Sequence, residues 1–308
     1  MNIRTAYITL TLTLSALLAA GCTNDAAIFA PSDEPVPIQI ADVGITARIQ
    51  TRATITSGSM GVFLSSANGY TPQYDVQYTY SSGWKPGSTT INVGGANATL
   101  HAYYPNTAAT FAANSTICIL NAQKWAEDKD LCYATTGGTS VCNKTPGVTF
   151  NMARAYARIK LSIQRRSGSY SGNCNITKVN LKSDNSFYIT RTLDISNGTY
   201  EGTAVTGGWT YALTTGNIAD GATNTAYDML VPHQPVASGL TLTLTVDGTD
   251  RAVTVPASQL TSGNLNVGCQ YTINLTITDT AVTITGNVSI TDMVTDSSVI
   301  QNETPLNP

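Results

Sequence analysis

Leu240-Thr241-Leu242-Thr243-Leu244-Thr245-Val246 places an apolar residue at every second position, and Asp247-Gly248 follows it. A period of two marks a strand that buries one face and wets the other. Asp-Gly after such a run predicts a two-residue hairpin turn, because both turn positions need positive φ. The pattern recurs on either side. Tyr271, Ile273, Leu275 and Ile277 alternate with Thr272, Asn274, Thr276 and Thr278. Ala155, Ala157, Ile159, Leu161 and Ile163 alternate with Tyr156, Arg158, Lys160, Ser162 and Gln164. The polar partners are mostly Thr, whose branched Cβ favours strands. Helical periodicity is nearly absent, the best stretch being residues 122–129. Short strands separated by Gly, Asn and Ser predict an all-β chain built of sandwiches. A domain boundary is expected near residues 150–153, between a loop-like region (132–147) and the long alternating strand that follows.

Composition agrees with this reading. The chain has 308 residues, enough for about two domains. Lys and Arg number 16 against 19 Asp and Glu, for a net charge of −3. Charged residues make up only 11%, less than half the roughly 25% of ordinary globular proteins. No Lys/Arg cluster is present, so nucleic acid is not an expected partner. Surface hydrogen bonding falls to Thr, Ser, Asn and Gly. That suits an extracellular or assembling protein better than a cytosolic enzyme.

The amino terminus begins Met1-Asn2-Ile3-Arg4, continues uncharged over residues 6–20, and ends in Leu18-Ala19-Ala20-Gly21-Cys22. A basic start, a short apolar middle and small residues at the end make a secretory signal. The apolar run is shorter than the roughly 20 residues a membrane-spanning helix needs. Leu-Ala-Ala-Gly-Cys resembles the bacterial lipobox, in which the Cys thiol receives diacylglycerol and the bond before it is cut. On that reading residues 1–21 are a lipoprotein signal peptide and Cys22 anchors the precursor to a membrane. An ordinary signal peptide with an incidental Cys is the alternative. Residues 22–37 carry Pro31, Pro35 and Pro37 with Asp25, Asp33 and Glu34, lack periodicity, and read as a tether.

Little in the chain points to catalysis. The only histidines, His101 and His233, lie far apart, whereas a zinc site wants close-spaced ligands. No metal and no cofactor is expected. Ser82-Gly83-Trp84-Lys85 matches S-x-x-K and Ser183-Asp184-Asn185 matches S-D-N, two motifs of serine β-lactamases and penicillin-binding proteins. The third, K-T-G, is missing, and in a Ser- and Asn-rich chain such short matches arise by chance. Beyond Cys22 there are Cys118, Cys132, Cys142, Cys174 and Cys269. Cys132 with Cys142, where Cys118 competes, and Cys174 with Cys269 are possible disulfides in an exported protein. Spacing leaves buried free thiols equally open.

Four stretches, in order, carry a resemblance. The lipobox at Cys22 comes first. Next is Ile45-Thr46-Ala47-Arg48-Ile49-Gln50-Thr51-Arg52-Ala53-Thr54, soon followed by Gly61-Val62-Phe63-Leu64. Third is Tyr78-Thr79-Tyr80 to Trp84, then Ala98-Thr99-Leu100-His101-Ala102-Tyr103-Tyr104-Pro105. Last is Tyr271-Thr272-Ile273-Asn274-Leu275-Thr276-Ile277, with Val282-Thr283-Ile284 and Val288-Ser289-Ile290-Thr291-Asp292 after it. The chain resembles the fimbrillin-like lipoproteins of the Bacteroidales, subunits of type V pili.

The resemblance implies two tandem transthyretin-like Greek-key β-sandwich domains, at residues 38–151 and 152–293, and a polar tail over 294–308. It implies that a trypsin-like protease cuts after Arg52, before Ala53, with Arg48 as second choice, and removes residues 38–52. The alternative is that both arginines are surface residues of a permanent strand. It implies a donor strand from the carboxyl-terminal region, here Val282, Ile284, Val288 and Ile290, although these residues equally suit the completion of the second sandwich. Other pilin subunits are the implied partners. Asp279-Thr280-Ala281 resembles an O-glycosylation sequence of this bacterial group, at Thr280. The implied function is a pilus subunit supporting cell adhesion, exported as an outer-membrane lipoprotein precursor and displayed at the cell surface. The competing reading is a non-polymerising surface lipoprotein that binds a glycan or host ligand, with Trp84, Trp125, Trp209 and the 15 tyrosines as possible stacking platforms, although aromatic residues are more often core or turn anchors.

Overall fold

The computed structural model describes residues 34–46, 53–135, 141–212 and 216–293. Every regular element among them is a strand or a single 3-10 turn. Leu240–Val246 and Thr249–Val255 pair antiparallel. They are joined through Asp247 at φ 48° and Gly248 at φ 80°, so the Asp-Gly hairpin forms as its chemistry predicts. Leu240, Leu242 and Leu244 are buried while Thr241 and Thr243 lie at the surface, where Thr241 and Thr254 hydroxyls meet across the pair at 3.0 Å.

That hairpin belongs to a four-stranded sheet ordered Trp209–Ala212, Ile176–Lys182, Leu240–Val246, Thr249–Val255. A second sheet packs on it. Its order is Gln123–Lys124, Thr223–Pro232, Tyr156–Arg165, Cys269–Ile277, with Val282–Ile284 and Ser289–Asp292 both on the outer edge of Cys269–Ile277. Ile159, Leu161 and Ile273 from one sheet share a core with Val179, Leu242 and Leu244 from the other. This is a β-sandwich.

The first half is an eight-stranded sheet. Its order is Ala53–Thr54, Gln39–Ile45, Gly147–Arg154, Cys132–Ala134, Leu100–Tyr104, Ser59–Leu64, Gln73–Tyr80, Trp84–Pro86. It encloses a core that includes Val43, Met60, Val62, Tyr78, Phe150 and Met152.

The halves are joined by strands as well as by sequence. Gly147–Arg154 runs to within one residue, Ala155, of Tyr156–Arg165. Ile117–Asn121 of the first half pairs with Thr190–Asp194 of the second, and Gln123–Lys124 pairs with Thr223–Pro232. A third core, with Phe63, Tyr103, Leu120, Leu131, Tyr156 and Leu193, fills the space between. Here Arg158 donates to both carboxylate oxygens of Asp228 at 2.8 and 2.6 Å, its guanidinium lying 3.8 Å from the Trp125 ring centre. Arg154 pairs with Asp130, and both are buried.

The structure departs from the sequence reading in four places. Residues 122–129 are not helical: Gln123–Lys124 is a short strand and Glu127–Lys129 one 3-10 turn. The loop-like region contains the strand Cys132–Ala134, bonded on both sides. Arg158, expected on a wet face, is buried by the other half. The tether gives way early, since Val36–Pro37 already pair with Asn92–Val93.

At the far end of the second sandwich, Asp247 braces the chain before Ile176–Lys182. It accepts the Tyr170 hydroxyl at 2.6 Å and the N–H groups of Cys174 and Asn175 at 2.9 Å each. Burial pushes its pKa up, but the Tyr170 hydroxyl and these N–H groups outweigh that and hold it below the usual carboxylate value. A depressed folded pKa adds stability that is present above the unfolded value, about 3.9, and is lost as pH falls through the folded value. Asp247 is exposed, so solvent screens part of this, and replacing Asp247→Ala is expected to cost about 1 kcal/mol at pH 7. The part of the gap owed to the ionised carboxylate should shrink as pH falls below the unfolded value of about 3.9, as read in urea denaturation series at stepped pH.

Candidate assembly site

The leading strand, Gln39–Ile45, lies parallel to Gly147–Arg154 in a register that runs from Gln39 opposite Gly147 to Ile45 opposite Met152. Ile40 faces Val148 and Asp42 faces Thr149, so the register slips by one residue at Ala41. This is where the apolar alternation breaks before Asp42, as a bulge requires. The strand is nevertheless well seated: Ile38 is 5% exposed, Ile40 9%, Val43 0% and Ile45 6%. Beyond it the sheet has only Ala53–Thr54, which pairs with Gly44 and Ile45. The leading strand thus covers the edge of Gly147–Arg154 and closes the first core, one strand from the sheet's rim.

Cys22, Arg48, Arg52 and the tail 294–308 lie outside the described residues. Ala53 lies within them, at the first position of its short strand.

The carboxyl-terminal candidates sit on one strand. Val282–Ile284 pairs antiparallel with the Leu275–Ile277 end of Cys269–Ile277, and Ser289–Asp292 with its Cys269–Thr272 end. In this arrangement they complete the second sandwich. Their hold is partial: Val282 is buried, whereas Ile284, Val288 and Ile290 are only partly so. Thr280 is exposed in the tight turn between Cys269–Ile277 and Val282–Ile284.

Neither proposed disulfide is present, and all five described cysteines are free. Cys132 lies opposite Arg154 at one end of Gly147–Arg154, whereas Cys142 sits just before the other end. Seven residues of strand span about 23 Å, and a disulfide needs Cα atoms within about 7 Å. Cys118 does not rescue the pairing, because it points into the junction core and Cys132 into the first core. Cys174 and Cys269 are likewise at opposite ends of the second sandwich. Cys174 shares Asp247 with Tyr170, beside Ser171, whose N–H meets Asp279 just past Ile277; Cys269 begins that same strand. Burial pushes the Cys132 thiol up to about 12. The half-buried Cys142 moves the other way, its thiol lowered first by the Thr145 hydroxyl.

Other candidate residues fall into structural roles. His101 Nδ1 contacts the Thr135 carbonyl, and His233 Nδ1 lies 3.0 Å from the Leu265 carbonyl. Among the described residues no group of His, Cys, Asp and Glu is placed to hold a metal. Ser82, Asp184 and Asn185 have positive φ, so the S-x-x-K and S-D-N matches fall on turns. Trp84 and Trp209 are buried and Trp125 is covered by Arg158, so none offers an open stacking face. No helix of the described residues is long and apolar enough to cross a membrane.

A two-part β chain with a parallel leading strand at one sheet edge is the arrangement against which likeness can be judged. The model of the fimbrillin-like family matches residues 47–292. The chain belongs to the fimbrillin-like family. Solved structures from Bacteroides species share the fold. One from Bacteroides uniformis, named a "putative cell adhesion protein", superposes with a TM-score of 0.59 at 18% identity, covering 83% of this chain and 98% of its own. One of the same name from Bacteroides ovatus gives 0.58 at 19%, over 86% and 100%. A fimbrial protein from Bacteroides vulgatus gives 0.51 at 15%, over 83% and 99%. No curated protein matches the chain. At these identities the likeness to the solved structures is one of fold.

The thiol geometry gives a direct check. Iodoacetamide applied to the folded protein is expected to label Cys142 and to spare Cys118, Cys132, Cys174 and Cys269, as read by peptide mass spectrometry. Reduction before denaturing alkylation should leave the number of labelled thiols unchanged; an increase would reveal a bridge.

Proposed function

We propose that this fimbrillin-like chain is a structural, non-catalytic subunit of a type V pilus that supports cell adhesion at the bacterial surface. It is exported as an outer-membrane lipoprotein precursor anchored through Cys22. Cleavage by a trypsin-like protease after Arg52 frees Ala53 and removes the leading strand. A neighbouring subunit then fills the vacated groove with its carboxyl-terminal segment.

One observation carries the reading: four apolar side chains of the leading strand are buried, yet only two residues of sheet lie outside it. Removing it would uncover the backbone edge of Gly147–Arg154 and the wall of the first core. Unpaired backbone edges and exposed core are both costly. A replacement strand that seats about four apolar side chains regains roughly 6–12 kcal/mol before ordering costs. Val282, Ile284, Val288 and Ile290 form a matching set. Three of them are only partly buried where they sit, so they lose less on leaving their own sheet than they gain in a closed groove. A head-to-tail contact of this kind does not close on itself and grows a filament.

Limited trypsin treatment of the purified precursor tests this. The expected product begins at Ala53 and forms ladders that resist sodium dodecyl sulfate. Arg52→Ala should abolish them, and ladders that persist in R52A but not in R48A would move the cut to Arg48. A chain cut cleanly at Ala53 that stays monomeric would overturn strand exchange for this subunit. Deleting residues 282–308 should leave cleavage intact and prevent the ladder.

A further inference from the structure

Three unusual features meet at one small cavity of about 290 Å³, away from the leading strand. The first is Tyr74, one of the few large apolar side chains that remain exposed, at 38%. Its exposure has a backbone cause. The pairing of Ser59–Leu64 with Gln73–Tyr80 slips between Val62 and Leu64, and Asp75 sits there at φ 51°. Tyr74 and Asp75 consequently both face outward before the alternation resumes at Val76. A bulge of this kind re-aims a side chain.

The second feature is what holds that strained turn. The Tyr103 hydroxyl donates to Asp75 Oδ1 at 2.7 Å and the Gln77 amide to the same oxygen at 2.8 Å. Gly61 makes room, since a Cβ there would run into the Tyr103 ring and the Asp75 carboxylate. A residue at positive φ that is held by two hydrogen bonds, with a glycine leaving it room, is a maintained feature, and such strain gathers at functional sites. Asn114, across the cavity, also has positive φ.

The third is His101, a buried histidine that lines the same cavity. Burial is the main cause holding its pKa below the usual value, so the ring is neutral at pH 7. With Nδ1–H donated to the Thr135 carbonyl, Nε2 is the acceptor the ring has left to offer. Around it are the hydroxyls of Ser66, Ser115 and Ser196 and the amide of Asn114. Thr116, also in the lining, is held by Asp194, to which its hydroxyl donates at 2.8 Å; the Ser196 N–H donates to the same carboxylate at 2.9 Å. Strands of the first half and the turn after Thr190–Asp194 of the second both contribute, and clefts between two cores are favoured binding places.

From this convergence we infer that the cavity is a binding site for one ring of a neutral saccharide. Among the described residues the lining holds no Lys, Arg, Asp or Glu, so an ionic ligand would be desolvated there without a counter-charge. An aromatic face beside a set of hydroxyl, amide and imidazole groups matches a molecule with an apolar C–H face and a hydroxylated rim. Tyr74 supplies the face, and His101 and Asn114 select hydroxyls at the edge. The site lies on the part of the chain that cleavage leaves in place, so it stands or falls independently of strand exchange.

The test uses the full, uncleaved chain with labelled tyrosine and histidine rings. The methyl glycosides of glucose, galactose, mannose and fucose are titrated in turn by nuclear magnetic resonance, with sorbitol as an open-chain polyol. The expected result is a saturable shift of the Tyr74 and His101 ring signals with at least one glycoside and none with sorbitol. Tyr74→Ala should weaken that binding about tenfold and Tyr74→Phe should keep it. Tyr74 is exposed, so both variants retain the core. No saturable shift with any of the four glycosides, equal shifts with sorbitol, or full affinity in Y74A would each overturn the assignment.

Discussion

Parallel pairing along one extended run holds this molecule together. Gly147–Arg154 and Tyr156–Arg165 follow each other with a single residue between, and each accepts one parallel partner. The first takes Gln39–Ile45 from the beginning of the described chain, the second Cys269–Ile277 from near its end. Parallel partners cannot be joined by a hairpin, so both contacts close long stretches of sequence. Each half is therefore closed by a strand that comes from far away in the sequence.

The junction between the halves follows a different logic. Its polar groups are buried in pairs: Arg158 with Asp228, capped by Trp125, and Arg154 with Asp130. Burial, then the neighbouring Arg158 charge, pull the Arg154 pKa down to about 10, against the pull of Asp292. Such pairs add little net stability once their desolvation is counted, but breaking one leaves a buried charge uncompensated. Both pairs are made at the junction. Asp292 ends the last closing strand, so that strand reports to the same cluster.

What the sequence reveals and what it hides can be traced to particular residues. The strands with buried Leu or Ile on alternate positions, such as Leu240–Val246 and Cys269–Ile277, are legible because one face is wet. Asp247-Gly248 is legible because its turn demands positive φ. The stretch around Trp125 misleads, because its form is set by distant partners: Gln123–Lys124 bonds to Thr223–Pro232 and Trp125 lies under Arg158. Cysteine spacing misleads for a related reason, since sequence neighbours at opposite ends of a strand are some 20 Å apart. That Tyr74 and His101 meet at one cavity is invisible in the sequence. One depends on a register slip and the other on which of two nitrogens is already engaged.

Charge scarcity gives the edges their meaning. A sheet edge invites another strand unless charge, proline or shortness discourages it. Trp84–Pro86 ends the eight-stranded sheet with Lys85 and Pro86, and Thr249–Val255 ends the four-stranded sheet with Asp250 and Arg251. Gln123–Lys124 is two residues long and carries Lys124. Trp209–Ala212 is short, and Ile117–Asn121 is partly covered by the turn at Phe111 and Ala112. The strand under the leading segment is different. From Gly147 to Ala153, through Val148, Thr149, Phe150, Asn151 and Met152, it has no charge and no proline. Cys269–Ile277, beneath the closing strands, has none either. Among only 35 charged residues, charge and proline stand on these outer rims and are missing from residues 147–153 and 269–277, the two long stretches that the leading and closing segments cover. An uncharged edge of this kind is open to a strand from any source once its cover is gone, and the proposed exchange would draw on that openness.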